Sequence, residues 1–406
     1  MMYLQSVTAN GFCSVRIRGP LDEAKLRRSL ERLPRRHPLL GARVILEQDV
    51  HTFTTEAVSP LPLRATSDDG SGQSFLKVIA EEIVTPLNRT TGPLVRFTLV
   101  RHPDGERTDL IMTVDHTIAD GSACLYAIRD LLAFDEAPEF EREPVPLPPP
   151  ISHLLPASII DARPSSEPSQ DERSQSTTTF SASTTDIVIG SAALEREPML
   201  VLARRCRERG VTVYAAVCVA FGEAFAALFE NKTKVTISSP VSCRPRLAPS
   251  VREAFSCSIA FTRVHVALSP PSSFWEQAHA VRQQLLEGTT DQKLFGPLSV
   301  IEEANKAERD DSRFLHRARQ RRHHMDGHDI SITNLGRQAI PSRYGELTID
   351  AIHGGAGLPG EIVIALFTAD DTMHVTLLTR GLSGAANDAA RRMVASALSR
   401  LRMLPP

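Results

Sequence analysis

The residues best suited by type to do chemistry lie in one stretch, Thr113-Val114-Asp115-His116-Thr117-Ile118-Ala119-Asp120-Gly121. A free imidazole titrates at about 6.5, so His116 is the natural group to take a proton from an alcohol or an amine. Asp120 carries a carboxylate four residues on. Across a helix start it points away from the imidazole, and it sits where an N-cap belongs. Gly121 can take a φ that other residues avoid.

Other chemical patterns are weaker. Gly355-Ala356-Gly357-Leu358-Pro359-Gly360 matches the glycine spacing of a dinucleotide fingerprint, but a strand follows it where a helix is needed. His323-His324-Met325-Asp326-Gly327-His328 has adjacent histidines that point apart, so it reads as a solvated loop and no metal site is expected. No G-x-S-x-G elbow occurs, which counts against a serine hydrolase.

The elements around His116 can be read directly. Leu110 to Val114 is a run of β-formers. Cys124, Leu125, Ile128, Leu131 and Leu132 recur at helical spacing and form one apolar face. His116 is therefore expected on a tight bend between a strand and a helix, where two regular elements can hold it rigidly. Upstream, Phe12 to Arg18 alternates as a strand, and a helix runs from Leu21 to about Leu33 with Leu26, Leu30 and Leu33 on one face. A strand follows at Ala42 to Leu46, then a helix at Gly72 to Val84 and a strand at Leu94 to Val100. His102 to Gly105 turns the chain into the strand before His116. The first unit, residues 1–137, thus reads β-α-β-α-β-β-α.

Residues 138–185 read as a Pro/Ser-rich linker. Nine prolines fall between 138 and 183, and the almost wholly polar stretch Ser165 to Ser176 is expected to be its mobile middle. Ile151 to Ile160 is apolar enough to dock on a domain surface. The second unit, 186–406, is expected to contain helices at Glu197 to Arg209 and, capped by Thr212, at Val213 to Phe229. Strands follow at Lys234 to Ser239 and Ile259 to Leu268, then a helix at Phe274 to Leu286. Four strands at Asp329 to Thr333, Leu347 to His353, Glu361 to Ala369 and Met373 to Thr379 precede a last helix near Asn387 to Leu401.

At 406 residues, two domains are expected. The formal charge of −2 and the sparse aromatics, one Trp and four Tyr, argue against nucleic-acid binding. The six cysteines form no C-x-x-C pair and read as reduced thiols of a cytoplasmic protein. The N-terminus lacks the pattern of a signal peptide. The longest apolar stretch, Val211 to Phe229, contains Glu223 and falls short of the ~20 residues of a membrane span, so it reads as a buried helix.

His-x-x-x-Asp-Gly after a strand resembles the active-site motif of the chloramphenicol acetyltransferase-like superfamily. That group includes nonribosomal peptide synthetase condensation domains and stand-alone polyketide-associated acyltransferases. Those proteins usually carry two adjacent histidines, the second being the base; here Asp115 stands where the first would be and His116 where the second is. Three further matches fall in order. Gly19-Pro20-Leu21-Asp22 with Leu26, followed by Arg36-His37-Pro38-Leu39-Leu40, resembles the superfamily's opening. Gly210-Val211-Thr212-Val213 between two helices resembles the start of its second half. Ser331-Ile332-Thr333-Asn334-Leu335-Gly336 resembles a strand end that lines its pocket.

The resemblance implies an α/β fold of two similar halves, each a mixed sheet covered by helices, with the active-site tunnel between them. It implies direct transfer: His116 deprotonates an acceptor, which attacks an acyl thioester with no covalent acyl-enzyme. Asp120 and Gly121 are then structural, with Asp120 paired to Arg244 of Pro240-Val241-Ser242-Cys243-Arg244-Pro245. Asn334 or Thr333 is a candidate hydrogen-bond donor to the developing oxyanion. No bound cofactor is expected; the thioester, on coenzyme A or an acyl carrier protein, is the co-substrate. A hydroxyl acceptor, giving an ester in secondary metabolism, is the first reading. A free-standing condensation enzyme forming an amide is the alternative, as is a non-catalytic carrier-protein-binding module. The basic run Lys306, Arg313, Arg317, Arg319, Arg321 and Arg322 is a candidate donor-binding surface. His37 is expected to be structural.

Overall fold

The computed structural model describes residues 10–47, 50–136, 143–156, 159, 187–268, 272–296, 327–337, 340–357 and 361–404. The basic run at 306–322, the polar stretch 165–176 and His323 to Asp326 lie outside the described residues.

Two six-stranded mixed sheets organise the chain. The first contains β1 (Asn10–Arg18), β4 (Leu63–Ser67), β5 (Val95–Arg101) and β6 (Arg107–Asp115), joined by β11 (Arg343–Tyr344) and β12 (Leu347–Ala356). Their order is β11-β12-β1-β6-β5-β4, with only β4 and β5 parallel. The second contains β7 (Ile187–Leu194), β8 (Lys234–Ser242), β9 (Ile259–Ala267), β10 (Ile330–Arg337), β13 (Ile362–Ala369) and β14 (Thr372–Arg380). Its order is β7-β14-β13-β10-β8-β9, with β10 parallel to both neighbours. The fold is α/β with two sheet-containing halves, as the resemblance implies.

Three details differ from the sequence reading. The strand near Ala42 is β2 (Arg43–Glu47), which pairs only with β3 (Val50–Thr54) in a separate hairpin. β3, β4, β7 and β11 have no counterpart in the sequence reading. β11 and β12 follow the linker yet complete the sheet of the first half, so sheet membership does not follow chain order there. Strand alternation shows which side chains are buried, not which strand lies alongside.

Helices α1 (Glu23–Arg36) and α3 (Gly121–Glu136) bury Leu26, Leu30 and Leu33 together with Cys124, Leu125, Ile128, Leu131 and Leu132 against Cys13, Val15, Leu110, Met112 and Val114. Asp22 caps α1 by accepting from Ala24 N and Lys25 N at 2.8 and 3.2 Å. The second half carries α4 (Arg196–Glu208), α5 (Val213–Ala226), α6 (Phe274–Gly288) and α7 (Gly384–Arg402). Thr212 caps α5, and this nearly wholly apolar helix is the centre of the second core. Among the described residues no single helix is long and apolar enough to cross a membrane.

Part of the linker docks. Leu154, Leu155 and Ile159 are buried with Cys243, Leu247, Ala260, Leu294 and Phe295, and Ala248 N donates to Leu154 O at 2.9 Å. Helix α2 (Ser74–Val84) packs on the other face of the first sheet and reaches the second, with Phe75, Ile79 and Phe12 meeting Ile189, Val363 and Leu378.

The two sheets also meet at a pair of buried histidines. His353 on β12 and His374 on β14 stand edge to face, 5.9 Å between ring centres, beside Phe75. Burial pushes His353 down to about 3, with His374 and Arg16 adding to the shift, and pushes His374 down to about 4. Both rings are then neutral in the folded protein, while the unfolded chain binds their protons at about 6.5. A depressed histidine leaves stability full above the unfolded pKa and erodes it as pH falls towards the folded values. Unfolding free energy should therefore drop by about 1.4 kcal/mol per pH unit for each ring in the middle of that window. His374→Leu should lose about half of this slope in urea titrations between pH 7 and 5. An unchanged slope would mean that His374 is not held neutral by burial in the folded protein.

Candidate active site

Strand β6 ends at Asp115, whose side chain closes the bend that follows. Its Oδ1 accepts from Thr117 N at 3.0 Å and from Thr117 Oγ1 at 2.7 Å, and Ile118 N donates to Asp115 O at 3.1 Å. Its Oδ2 accepts from Arg89 Nε at 2.6 Å in an ion pair that is almost wholly buried on the aspartate side. The residue standing where the superfamily has its first histidine thus holds the bend through local hydrogen bonds and a salt bridge. Asp115→His should lower the melting temperature, since a charge-assisted buried bond is worth about 1.5–3 kcal/mol, and should bring no gain in activity. A more active or more stable variant would sink this account.

His116 follows the end of β6 and is partly exposed. A Cβ at Gly11 would lie 3.4 Å from its Cδ2, so the glycine lets the ring lie against β1. Cys257 Sγ is 3.7 Å from Nδ1. Burial lowers the pKa of the ring; hydrogen bonds to the backbone of His116 itself and of Ala119, and the charges of Asp120 and Asp115, oppose this without overcoming it. His116 is therefore a neutral imidazole at neutral pH, which is the state a base needs.

Asp120 begins α3, and its Oδ1 accepts from Ala123 N at 3.0 Å, as an N-cap does. Its Oδ2 accepts from Arg244 Nη1 and, at 2.9 Å, from Ser258 N. The Asp120 and Arg244 side chains are only 4% and 5% exposed, so their charges meet out of water. The guanidinium continues to Ser256 O at 2.7 Å and Ala254 O at 3.3 Å. One ion pair thus fixes the start of α3 from the first half and residues 254–258 from the second. It also pins both neighbours of Cys257.

Gly121 opens α3 without the positive φ that the sequence allowed for; what it provides is close approach. A Cβ there would stand 2.7 Å from Leu335 Cδ2, at the end of β10. Leu335 is thus the residue of the Ser331 to Gly336 stretch that touches the motif. Asn334 is exposed, and its Oδ1 accepts from Gly336 N at 2.9 Å, forming a local turn at a glycine with φ +62°. Thr333 is partly buried in register with Ala365.

A second cross-link stands behind the first. His37 is fully buried, with Nε2 2.9 Å from Asp130 Oδ2. Burial lowers its pKa, so it is held neutral as an architectural group. Arg36 and Arg129 bond Asp130 and both reach Glu253, Arg129 in a two-pronged pair at 2.7 Å for each contact. Glu253 thereby ties the segment before Cys257 to α1 and α3. Sequence reasoning missed Arg89, Glu253 and Cys257. Each acts over 26 to 217 residues of separation, and none has a local pattern. Among the described residues no cluster of His, Cys, Asp and Glu is arranged to hold a metal ion.

No protein-family model matches the chain. Over 137 residues it is 31% identical to phosphinothricin tripeptide synthetase PhsC of Streptomyces viridochromogenes, which covers 32% of this chain and 12% of that protein. The chain therefore aligns with only a small part of that relative's length. In three dimensions it is similar to trichothecene 15-O-acetyltransferase from Fusarium sporotrichioides, with a TM-score of 0.71 and 11% identity over 99% of this chain and 92% of that one. It is likewise similar to the first condensation domain of the calcium-dependent antibiotic synthetase, with a TM-score of 0.69 and 16% identity over 98% and 92%.

Proposed function

We propose that this chain, which has the chloramphenicol acetyltransferase-like condensation fold, is an acyltransferase that moves an acyl group from a thioester to a hydroxyl. The observation that carries the reading is the placement of His116 at a strand end, beside the buried Asp120–Arg244 pair that joins the two halves. The similarity to an O-acetyltransferase and to condensation domains supports the same class of reaction.

In this reading His116 takes the proton of the acceptor hydroxyl as its oxygen attacks the thioester carbon. The tetrahedral intermediate collapses with loss of the thiolate, which receives that proton from the imidazolium. One C–O bond forms, one C–S bond breaks, and a free thiol leaves; no acyl group rests on the protein. Thr333 and Asn334 are the candidate oxyanion donors, and the Asn334 Nδ2 group would serve while its Oδ1 stays bonded to Gly336. The donor is coenzyme A or a carrier-borne phosphopantetheine thioester, with an acyl carrier protein as partner in the second case.

The test is a mass-spectrometric screen. Purified protein is given acyl-coenzyme A or acyl-carrier thioesters with hydroxylated and aminated acceptors. Ester formation that depends on both substrates supports the reading. Amide formation alone would make the protein a condensation enzyme. Carrier binding without thioester turnover across the panel would leave a binding module.

A further inference from the structure

Strands β8 and β10 are neighbours in the second sheet, yet among the described residues they pair only at Ile330 with Ile237 and at Ser331 with Ser238. Beyond that point each keeps its outer neighbour and leaves the other. β8 stays paired with β9 as far as Ser242, and β10 with β13 as far as Arg337. The sheet therefore forks. Its apex is closed: Asp329 N donates to Thr236 O at 2.8 Å, and Thr236 N donates to Asp329 Oδ2 at 2.8 Å. Its back is closed from α5, where the Tyr214 hydroxyl lies 2.6 Å from Ser239 Oγ and donates to Ile332 O at 2.7 Å. Both prongs end on the same place. β8 leads to Arg244, which holds Asp120, and β10 leads to Leu335, which packs on Gly121. The fork thus opens towards the bend that carries His116.

Strand alternation decides what the apex presents. Val235, Ile237, Ile330 and Ile332 belong to the core of the second half, so Thr236, Ser238, Ser331 and Thr333 point the other way. On the next strand that same face carries Ala365 and Phe367, which pack into the core of the first half. Ser238 and Ser331 stand side by side there, and they are only 6% and 8% exposed. A hydroxyl taken out of water normally finds a partner. Among the described residues no hydrogen bond engages the Oγ of either serine. Two adjacent hydroxyls, each more than nine-tenths buried and aimed to one side, are left to a partner that the described protein does not supply.

We propose that the fork between β8 and β10 is a blind subsite, in which Ser238 and Ser331 bind a neutral polar group, a hydroxyl or an amide, at the free end of a small-molecule substrate. The proposal rests on the reading of His116 as the base. The chemistry of the bound group follows from the pair. Each hydroxyl can donate and accept, and neither carries a charge to offset a buried ion. Its position follows from the strand. Ser331 lies four residues before Leu335, roughly 13 Å back at the usual rise per residue. Thr333, on the same face, lies between the two. The closed apex decides what can enter. The arm of the thioester continues into a nucleotide or a carrier protein, so it cannot end there. The tail of the acceptor or the tail of the acyl group can, and a neutral polar terminus is the chemistry common to both.

The experiment is titration calorimetry on the full-length protein with two series of probes. One pairs primary alcohols of about six to twelve carbons with their α,ω-diols, which bracket the length of the fork. The other pairs acyl-coenzyme A with ω-hydroxyacyl-coenzyme A over the same chain lengths. In one series the terminal hydroxyl should tighten binding by about threefold to tenfold at one chain length, the usual worth of a neutral hydrogen bond. A preference among the diols assigns the fork to the acceptor, and one among the acyl thioesters assigns it to the acyl tail. Ser238→Ala with Ser331→Ala should erase that preference by weakening the hydroxylated probe alone, and should leave the melting temperature unchanged because no bond within the protein is lost. In turnover the same loss should appear in KM with kcat nearly constant, since the pair is remote from the bond that forms. No preference in either series would overturn the proposal and leave the hydroxyls to water. So would a preference that survives in the double variant, or a lowered melting temperature, which would reveal a partner inside the protein. Should the double variant not fold, either single variant decides, because each removes one of the two partners. Absence of turnover in the unaltered protein would count against the functional reading alone, because the calorimetry needs none.

Discussion

Replacing His116 with alanine should leave a folded protein that has lost acyl transfer by about 10²–10⁴-fold, the usual worth of a positioned general base. The fold should survive because the ring is partly exposed and the bend is held by its neighbours. Asp115 makes the local hydrogen bonds to Thr117, and Asp120 caps α3. A melting temperature close to that of the unaltered protein, with kcat collapsed, is the expected pair of results. The pH profile adds an independent check. Burial lowers the pKa of His116, so the proton leaves at a lower pH than from a free imidazole. The active, neutral form is present above that pKa and lost as pH falls through it. Activity should thus hold on moving down from neutral pH, and its acidic limb should lie below that of a free imidazole. A loss of less than tenfold in His116→Ala would remove the residue from its role.

The parts of this site that sequence made legible are the local ones. β-formers before His116, an N-cap at Asp120 and a helical apolar stripe from Cys124 to Leu132 are short-range signals, and all describe the strand, bend and helix that the fold contains. Arg244 was reachable only through the superfamily motif, because 124 residues separate it from Asp120. Cys257 and Glu253 were not reachable at all. Their contacts depend on where one loop of the second half lands on the first. The same reason hid the sheet membership of β12: its alternation shows a strand, but pairing with β1 is a choice made in three dimensions. β7 escaped because Gly190, Ser191, Ala192 and Ala193 weaken its β-signal, although β14 pairs along its whole length. Asn334 shows a structural use that its motif does not announce. Its motif suggests a pocket, but its Oδ1 serves a turn at Gly336.

Breaking the Asp120–Arg244 pair should cost more stability than Asp115→His or His374→Leu, and should move the active site as well. The two side chains are buried and share their hydrogen bonds with backbone on both sides. Arg244→Ala removes the cation and leaves a buried carboxylate with only Ser258 N and Ala123 N to answer it, a loss of about 3–5 kcal/mol for a broken buried pair. Asp120→Asn is subtler. An asparagine oxygen can still cap α3, but its amide group would then turn towards Arg244 Nη1, donor against donor, and one of the two must lose its bond. Each single variant therefore carries the penalty of a group left unmatched, and the double variant carries that penalty only once. Its loss should be smaller than the sum by about 0.5–3 kcal/mol, the coupling seen between residues in contact. Urea unfolding of all four proteins measures this directly, and simple additivity would show that the contact contributes nothing. Activity should fall in both single variants even where they remain folded. Releasing Ser256 and Ser258 frees the segment that sets Cys257 against His116, and loosening the start of α3 frees the other end of the bend. Arg244→Lys makes the sharpest comparison. It restores the charge but cannot reproduce a guanidinium that reaches Asp120, Ser256 O and Ala254 O together. It should recover more stability than activity, because the charge steadies the buried carboxylate while the geometry of the loop depends on the fork.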